Sequence, residues 1–243
     1  MSNQRPSETM HYYPLFLNLK ERRVVVIGGG AVAERKVTTL LKASAAVTVI
    51  SPTLTPRLAR WKTEAKIIGI DRPYRRGDLG GAVLVFAATD HPSVNEAVVR
   101  EARRKRIPFN LADRAESDGF IVPAVLSMGG VTIAVSSGGK SPALAKQIRD
   151  YLKERLTSEE ERWVALLSQI KRTLIKKKVP PQRRRAILNS LVESNISTLY
   201  GRGEIQAAQA LIFKLSGLRR AELTLPAANG PENEAATRRK GIR

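Results

Sequence analysis

Unbroken apolar runs, helical spacing and short polar breaks succeed one another along the first half of the chain. Val24–Ile27 and Val47–Ile50 are continuously apolar, and "GAVLVFAATD" (81–90) carries a third such run ending at Ala88–Asp90. Runs this short, bounded by Gly, Pro or polar residues, predict strands covered on both faces. "KIIGIDRPY" (66–74) and "IPFNLAD" (107–113) predict two more strands, the last ending at Asp113. Helices are predicted between them over Ala31–Lys42, "TPRLARWKTEAK" (55–66) and "PSVNEAVVREARRKR" (92–106), the last with proline near its start. Strands alternating with helices predict an α/β fold built on a doubly wound parallel sheet.

The rhythm changes after residue 118. "GFIVPAVLSMGGVTIAVSSGG" (119–139) reads as two strands joined at "SMGG", with no helix between them. An isolated hairpin is marginal in water, so this one needs further strands, which a partner subunit could supply. "SPALAKQIRDYLKERL" (141–156) predicts an amphipathic helix with Ser141 at its N-cap. From Ser158 to Leu218 the pattern is helical, broken at Pro180–Pro181 and resumed in "GRGEIQAAQALIFKL" (201–215). Acidic residues early and basic ones late in 158–177 suit the helix dipole. The end, residues 221–243, is polar with Pro and Gly, a composition that predicts disorder.

Charge adds the next constraint. The 243 residues carry a net charge of +20. Residues 1–139 have 20 basic and 12 acidic groups, and residues 140–220 have 18 and 7. Such a field attracts polyanions: nucleic acid, an anionic membrane, or a small polycarboxylate or polyphosphate. The absence of cysteine excludes disulfides, thiolate-bound metal, iron–sulfur clusters and a thiol nucleophile, and fits a reducing compartment. No apolar run reaches the roughly 20 residues of a spanning helix, and the first residues lack a signal-peptide core. A cytoplasmic protein with no membrane partner is expected.

"RRVVVIGGGAVAERK" (22–36) carries the main chemical signal. Gly28, Gly30 and Ala33 fit Gly-x-Gly-x-x-Ala between a strand and a helix. The first glycine allows the tight turn, the second lets backbone approach a pyrophosphate, and the small third residue lets helix and strand pack. The helix start adds free N–H groups and partial positive charge. This predicts a Rossmann-type dinucleotide site. The acidic residue that normally binds the ribose after the second strand is missing; Ser51, Pro52 and Thr53 stand there, and Arg57 leaves NADP open. "AATD" (87–90) places small residues and Thr89 at the ligand edge of the sheet, where Asp90 is expected to cap the following helix. "FNLAD" brings Asn110 and Asp113 to the same edge. Asp113 is a candidate proton acceptor beside a nicotinamide, although a capping or solvated aspartate fits the spacing equally. "SSGGKSPALA" (136–145), with Ser137, Lys140 and Ser141, has the makings of an anion cradle or of a flexible hinge. His11 and His91 are the only histidines, and neither is expected to act as a base.

Taken together, "PLFLNL", "VVVIGGGAVAERK", "FAATD", "NLAD", "FIVPA" and "IAVSSGGKSP" stand in the order seen in the siroheme synthase amino-terminal module. The chain resembles a precorrin-2 dehydrogenase/sirohydrochlorin ferrochelatase, densely from Tyr13 to Leu156 and more weakly to Leu218. The resemblance implies hydride transfer from precorrin-2 to NAD, giving sirohydrochlorin, with insertion of Fe²⁺ as a substrate in some relatives. It assigns activity to Asp113 and cofactor contacts to Ala31, Val32, Pro52 and Thr53, so the missing acidic residue is compatible with it. Ser137 corresponds to a serine that is phosphorylated in a relative. The resemblance also implies a homodimer that exchanges strands through its middle segment. The expected organisation is an NAD-binding Rossmann domain (1–118), a dimerisation segment (119–152), a helical domain (153–220) and a tail (221–243), without the methyltransferase domain of some relatives. Lys140, Lys146 and Arg149 are candidates for pairing with the carboxylates of a tetrapyrrole. No fixed metal site is expected. The alternative class is a nucleic-acid-binding or redox-sensing protein on a Rossmann scaffold, motivated by "KRTLIKKK" and "RRR". Against it, few aromatics are available for stacking and no known nucleic-acid motif is present.

Overall fold

A computed structural model describes residues 12–111, 119–128, 130–156, 158–202 and 204–223. Its first compact unit is a five-stranded sheet made of β1 (Arg23–Ile27), β2 (Ala46–Ile50), β3 (Ile68–Ile70), β4 (Leu84–Ala87) and β5 (Phe109–Leu111). The strand order is β3-β2-β1-β4-β5 and every pairing is parallel. The crossover helices are α1 (Ala31–Lys42), α2 (Pro56–Thr63) and α3 (Pro92–Lys105). This is the predicted Rossmann-type sheet.

The VVVI run is apolar throughout because alternate residues enter different cores. Val24 and Val26 pack with Ala33, Val37 and Leu40 of α1 and with Leu58 and Trp61 of α2. Val25 and Ile27 pack with Val98 and Ala102 of α3 and with Phe109. The side chains of both layers are buried, which holds the carboxyl ends of β1, β2 and β4 in a fixed relation.

Some boundaries differ from the sequence reading. β4 stops at Ala87, short of Asp90, because the next residues form a turn locked by side chains. α2 stops at Thr63, and Ala65 takes a left-handed φ of 53° that ends the helix. Asp90 does not occupy the N-cap of α3; that position is His91, whose side chain makes no capping bond.

The second compact unit comprises residues 124–135 and 143–243. Its described part holds the predicted antiparallel hairpin, β6 (Ala124–Met128) with β7 (Val131–Val135), then α4 (Pro142–Arg155), α5 (Ser158–Lys176), α6 (Pro181–Glu193), α7 (Ile196–Gly201) and α8 (Ile205–Ser216). Ile170, Leu174, Leu191, Ile196 and Ile212 form its buried centre. The break between α6 and α7 at Ser194–Asn195 was not expected; the Ser194 hydroxyl donates to the Leu191 carbonyl at 2.7 Å and marks the end of α6. Among the described residues no helix is long and apolar enough to cross a membrane.

Candidate cofactor site at the switch point of the sheet

The strand order reverses between β1 and β4, and open α/β sheets bind ligands in the crevice at such a point. Gly28 follows β1 directly with φ +115°, a conformation that L side chains rarely adopt. A Cβ there would lie 2.2 Å from the Ala88 carbonyl oxygen, so the turn after β1 and the turn after β4 touch through backbone alone. Gly28 N–H donates to Ile50 O at 3.0 Å and Ala88 N–H to Ile27 O at 2.8 Å, extending the ladders on both sides of the crevice.

Gly29 has a separate task that the motif does not reveal. A Cβ on it would meet the Thr53 carbonyl oxygen at 2.0 Å and Ser51 Oγ at 2.9 Å. Its carbonyl accepts from Thr55 N–H at 2.9 Å. The middle glycine therefore docks the loop after β2 onto the glycine turn, and Pro52 and Thr53 come with it.

Gly30 is the open position. It is the N-cap of α1, extended in backbone, with no side-chain cap, and a Cβ on it would meet nothing within 4 Å. Ala31 is exposed and Val32 half-buried in the first helical turn. The N–H groups of that turn have no intrahelical acceptor by helix geometry, and among the described residues nothing stands within 4 Å of the Gly30 Cβ position. This arrangement fits the pyrophosphate of a dinucleotide. Glu34 in the same turn accepts a hydrogen bond from Thr55 Oγ1 at 2.6 Å and lies 3.6 Å from Arg57 NH1.

At the end of β4, Thr89 is braced by Asn95, a residue of α3 that is 3 % exposed. Thr89 Oγ1 donates to Asn95 Oδ1 at 2.9 Å, and Asn95 Nδ2 donates to the Thr89 carbonyl at 2.9 Å. The hydroxyl of Thr89 is thus engaged within its own turn. Asn110 Nδ2 donates to the Phe120 carbonyl at 2.9 Å, tying β5 to the segment that follows the undescribed residues. Asp113 lies outside the described residues, two positions beyond the last residue of β5. The cradle at Ser136–Pro142 belongs to the same compact unit as the sheet. There Ser137 Oγ accepts from Ser141 N–H at 2.8 Å, and Lys140 N–H donates to the Ser137 carbonyl at 3.2 Å.

The structure therefore gathers Gly28, Gly30, Ala31, Val32, Pro52, Thr53 and Thr89 around one crevice. Sequence reasoning missed Gly29, Glu34, Thr55 and Asn95. Only Asn95 left a trace, as a polar residue one turn into a helix that opens just after a sheet edge. Lys36, further along α1, lies over the Phe86 ring at 5.4 Å from its centroid. Burial, and then the neighbouring Arg35, hold its ammonium pKa below the usual lysine value.

The comparisons with known proteins agree with this geometry. The NAD(P)-binding family matches residues 15–124, and the family described as sirohaem biosynthesis protein central matches residues 129–155. A siroheme synthase of Methylobacillus flagellatus is 37 % identical over 209 residues, covering 86 % of this chain and 45 % of that protein. One from Thioalkalivibrio sulfidiphilus is 36 % identical, covering 84 % of this chain and 42 % of that protein. The chain spans less than half the length of these relatives. The solved structure of SirC, precorrin-2 dehydrogenase, superposes with a TM-score of 0.71 at 22 % identity, covering 85 % of this chain and all of that one. It shares the fold.

Proposed function

We infer that this chain, which belongs to the family of the siroheme synthase amino-terminal module, dehydrogenates precorrin-2 to sirohydrochlorin with NAD as hydride acceptor. One observation carries the reading. A dinucleotide cradle at the switch point runs on, within one chain, into a segment that matches the central sirohaem biosynthesis family. The same comparisons favour it over nucleic-acid binding or redox sensing.

NAD⁺, when bound, accepts the hydride that leaves the substrate carbon. The open backbone at Gly30 and the first turn of α1 hold its pyrophosphate, and the Pro52–Thr53 loop borders the ribose. Ala88, just past the end of β4, leaves room for a flat ring, while Ala87 is buried in the core. The substrate loses a proton along with the hydride, and Asp113 takes it as general base. Lys140, in the same compact unit as the sheet, pairs with a substrate carboxylate, and a net charge of +20 serves to gather a polyanion. Positioning the reacting carbon is the protein's main contribution.

Fe²⁺ enters as a second substrate, inserted into sirohydrochlorin. Among the described residues no group of three His, Asp or Glu could hold a metal ion. A homodimer in the cytoplasm completes the proposal. The exposed apolar residues of the hairpin and α4 support the first part, and the cysteine-free composition fits the second.

The test is NADH formation from precorrin-2 and NAD⁺. Turnover is expected, and Asp113→Ala should lower kcat by about 100-fold or more. No turnover with either NAD⁺ or NADP⁺ would end this reading; full rate in Asp113→Ala would remove the base. Iron insertion is measured with sirohydrochlorin and Fe²⁺ after subtracting the rate without protein, and a rate above that background is expected.

A further inference from the structure

The loop after β2 lacks the carboxylate that NAD sites carry there, but a carboxylate from another element is hydrogen-bonded to it. Glu34 reaches over from the first turn of α1. Its Oε2 accepts from Thr55 Oγ1 at 2.6 Å, and Thr55 N–H in turn donates to the Gly29 carbonyl at 2.9 Å. The carboxylate is thereby fixed to the same loop that Gly29 docks on the glycine turn. Its other oxygen lies 3.6 Å from Arg57 NH1. Arg57 has a second restraint, since its guanidinium lies 4.7 Å from the centroid of the Trp61 ring. Arg57 and Arg60 line one open depression beside the start of α2. Arg60 has a carboxylate of its own, Glu64, at 3.6 Å.

We propose that Glu34 and Arg57 form the pair that discriminates between NAD and NADP, with Glu34 rejecting the 2′-phosphate and holding Arg57 away from it. The proposal rests on the dinucleotide reading above and extends it to specificity. In Rossmann sites the group at the ribose 2′ position is read at the end of the second strand, by an acid for a hydroxyl or by an arginine for a phosphate. Here both residue types converge on that loop and satisfy each other. A 2′-phosphate must displace Arg57 from its carboxylate and then lie against the negative charge left behind. Arg57 is bidentate-capable and always charged, so its neutralisation matters for a phosphate far more than for a hydroxyl. A 2′-hydroxyl requires no such displacement, and Glu34 is an acceptor suited to it.

The experiment is direct titration of the full chain with NADH and with NADPH, followed by nicotinamide fluorescence, so that no substrate is needed. The unaltered chain is expected to bind NADH more tightly than NADPH by about tenfold or more, the scale of one charge-assisted contact. Glu34→Gln keeps an acceptor for Thr55 but removes the charge, and should cut that ratio by about tenfold through tighter NADPH binding. Adding Arg57→Ala to Glu34→Gln should weaken NADPH binding again and bring back part of the ratio, the share that a freed Arg57 supplies, which a general loosening of the loop would not do. Thermal melts of the same variants show that they remain folded. A preference for NADPH in the unaltered chain, or an unchanged ratio in Glu34→Gln, overturns the pair while leaving the dehydrogenase reading intact. Failure of the unaltered chain to bind either dinucleotide removes the dinucleotide reading and the pair together.

Discussion

At the scale of single residues, the three consecutive glycines do three different jobs, and space around each Cα separates them. Gly28 is required by its positive φ and by contact with the Ala88 carbonyl. Gly29 is required by the Thr53 carbonyl, 2.0 Å from where its Cβ would stand. Gly30 is required by no contact among the described residues, because a Cβ on it would meet nothing within 4 Å. A Gly-x-Gly pattern cannot distinguish these roles. The distinction predicts opposite behaviour for two neighbouring substitutions. Gly29→Ala should displace the β2–α2 loop and destabilise the fold by about 1–3 kcal/mol, the range for an overpacked site. Gly30→Ala should melt within about a degree or two of the unaltered chain, since its extended backbone accepts a side chain. It should nevertheless raise the NADH dissociation constant about tenfold or more by placing a methyl where backbone must approach pyrophosphate. Thermal melts and NADH titrations of the two variants decide it. A Gly30→Ala chain that binds NADH normally would place the pyrophosphate elsewhere.

At the scale of elements, continuous apolar runs identified the parallel strands because both faces of the sheet are covered, and the order of strands and helices then left the Rossmann topology as the natural closure. The ends of elements were harder to read. They are set by tertiary bonds, such as the Asn95 clamp that stops β4, and these have no local signature. Glu34 shows the same limit in the site. Read along α1 it is an ordinary first-turn acid, and only the fold carries it to the β2 loop. The connection from β3 to β4 is a further case. "KIIGIDRPY" predicts a strand to Tyr74, but β3 ends at Ile70. The residues after it are held by two carboxylates, Asp78 and Glu101 of α3, the latter accepting from the Tyr74 hydroxyl and from Gly77 N–H. Asp78 accepts two bonds from the Arg72 guanidinium, at 2.7 and 2.8 Å, and one from Arg75 N–H at 2.8 Å. Its side chain is 12 % exposed. The Arg72 bonds first, and then the Arg75 N–H, outweigh desolvation and hold its pKa below the usual aspartate value. A carboxylate depressed in this way contributes stability that is full above its unfolded value, about 3.9, and is lost as pH falls through the lower folded value. Asp78→Asn should therefore cost about 2 kcal/mol at neutral pH. The gap from the unaltered chain should stay constant from about pH 7 to 5 and close below about pH 4. Urea titrations across that range measure it, and a gap that persists at low pH would mean that the substitution costs stability through something other than the loss of the Asp78 charge.

At the scale of the whole molecule, the second unit presents apolar surface that its own described residues do not cover. Val125 of β6 and Val131 of β7 are 41 % and 39 % exposed, while Ile148 and Tyr151 on α4 are 42 % and 53 % exposed. The hairpin is a two-stranded sheet whose outer edges have no strand neighbour among the described residues. A two-stranded sheet is marginal in water, and an open edge of β-branched residues is a template for pairing with another chain. A second copy satisfies both needs at once. It supplies strands to the edges and covers the side chains, in a symmetric contact where the same face serves both partners. The homodimer proposed above is therefore expected to form through residues 124–135 and α4. Sedimentation of the full chain should give a dimer. Val125→Asp combined with Ile148→Asp should raise the dimer dissociation constant by about 100-fold or more, as each buried aliphatic side chain contributes about 1.5–3 kcal/mol. NADH binding to the dissociated variant provides the control, because the cofactor crevice is assembled within the first unit. If the unaltered chain sediments as a monomer, or the double variant remains dimeric with unchanged affinity, the hairpin and α4 are not the interface.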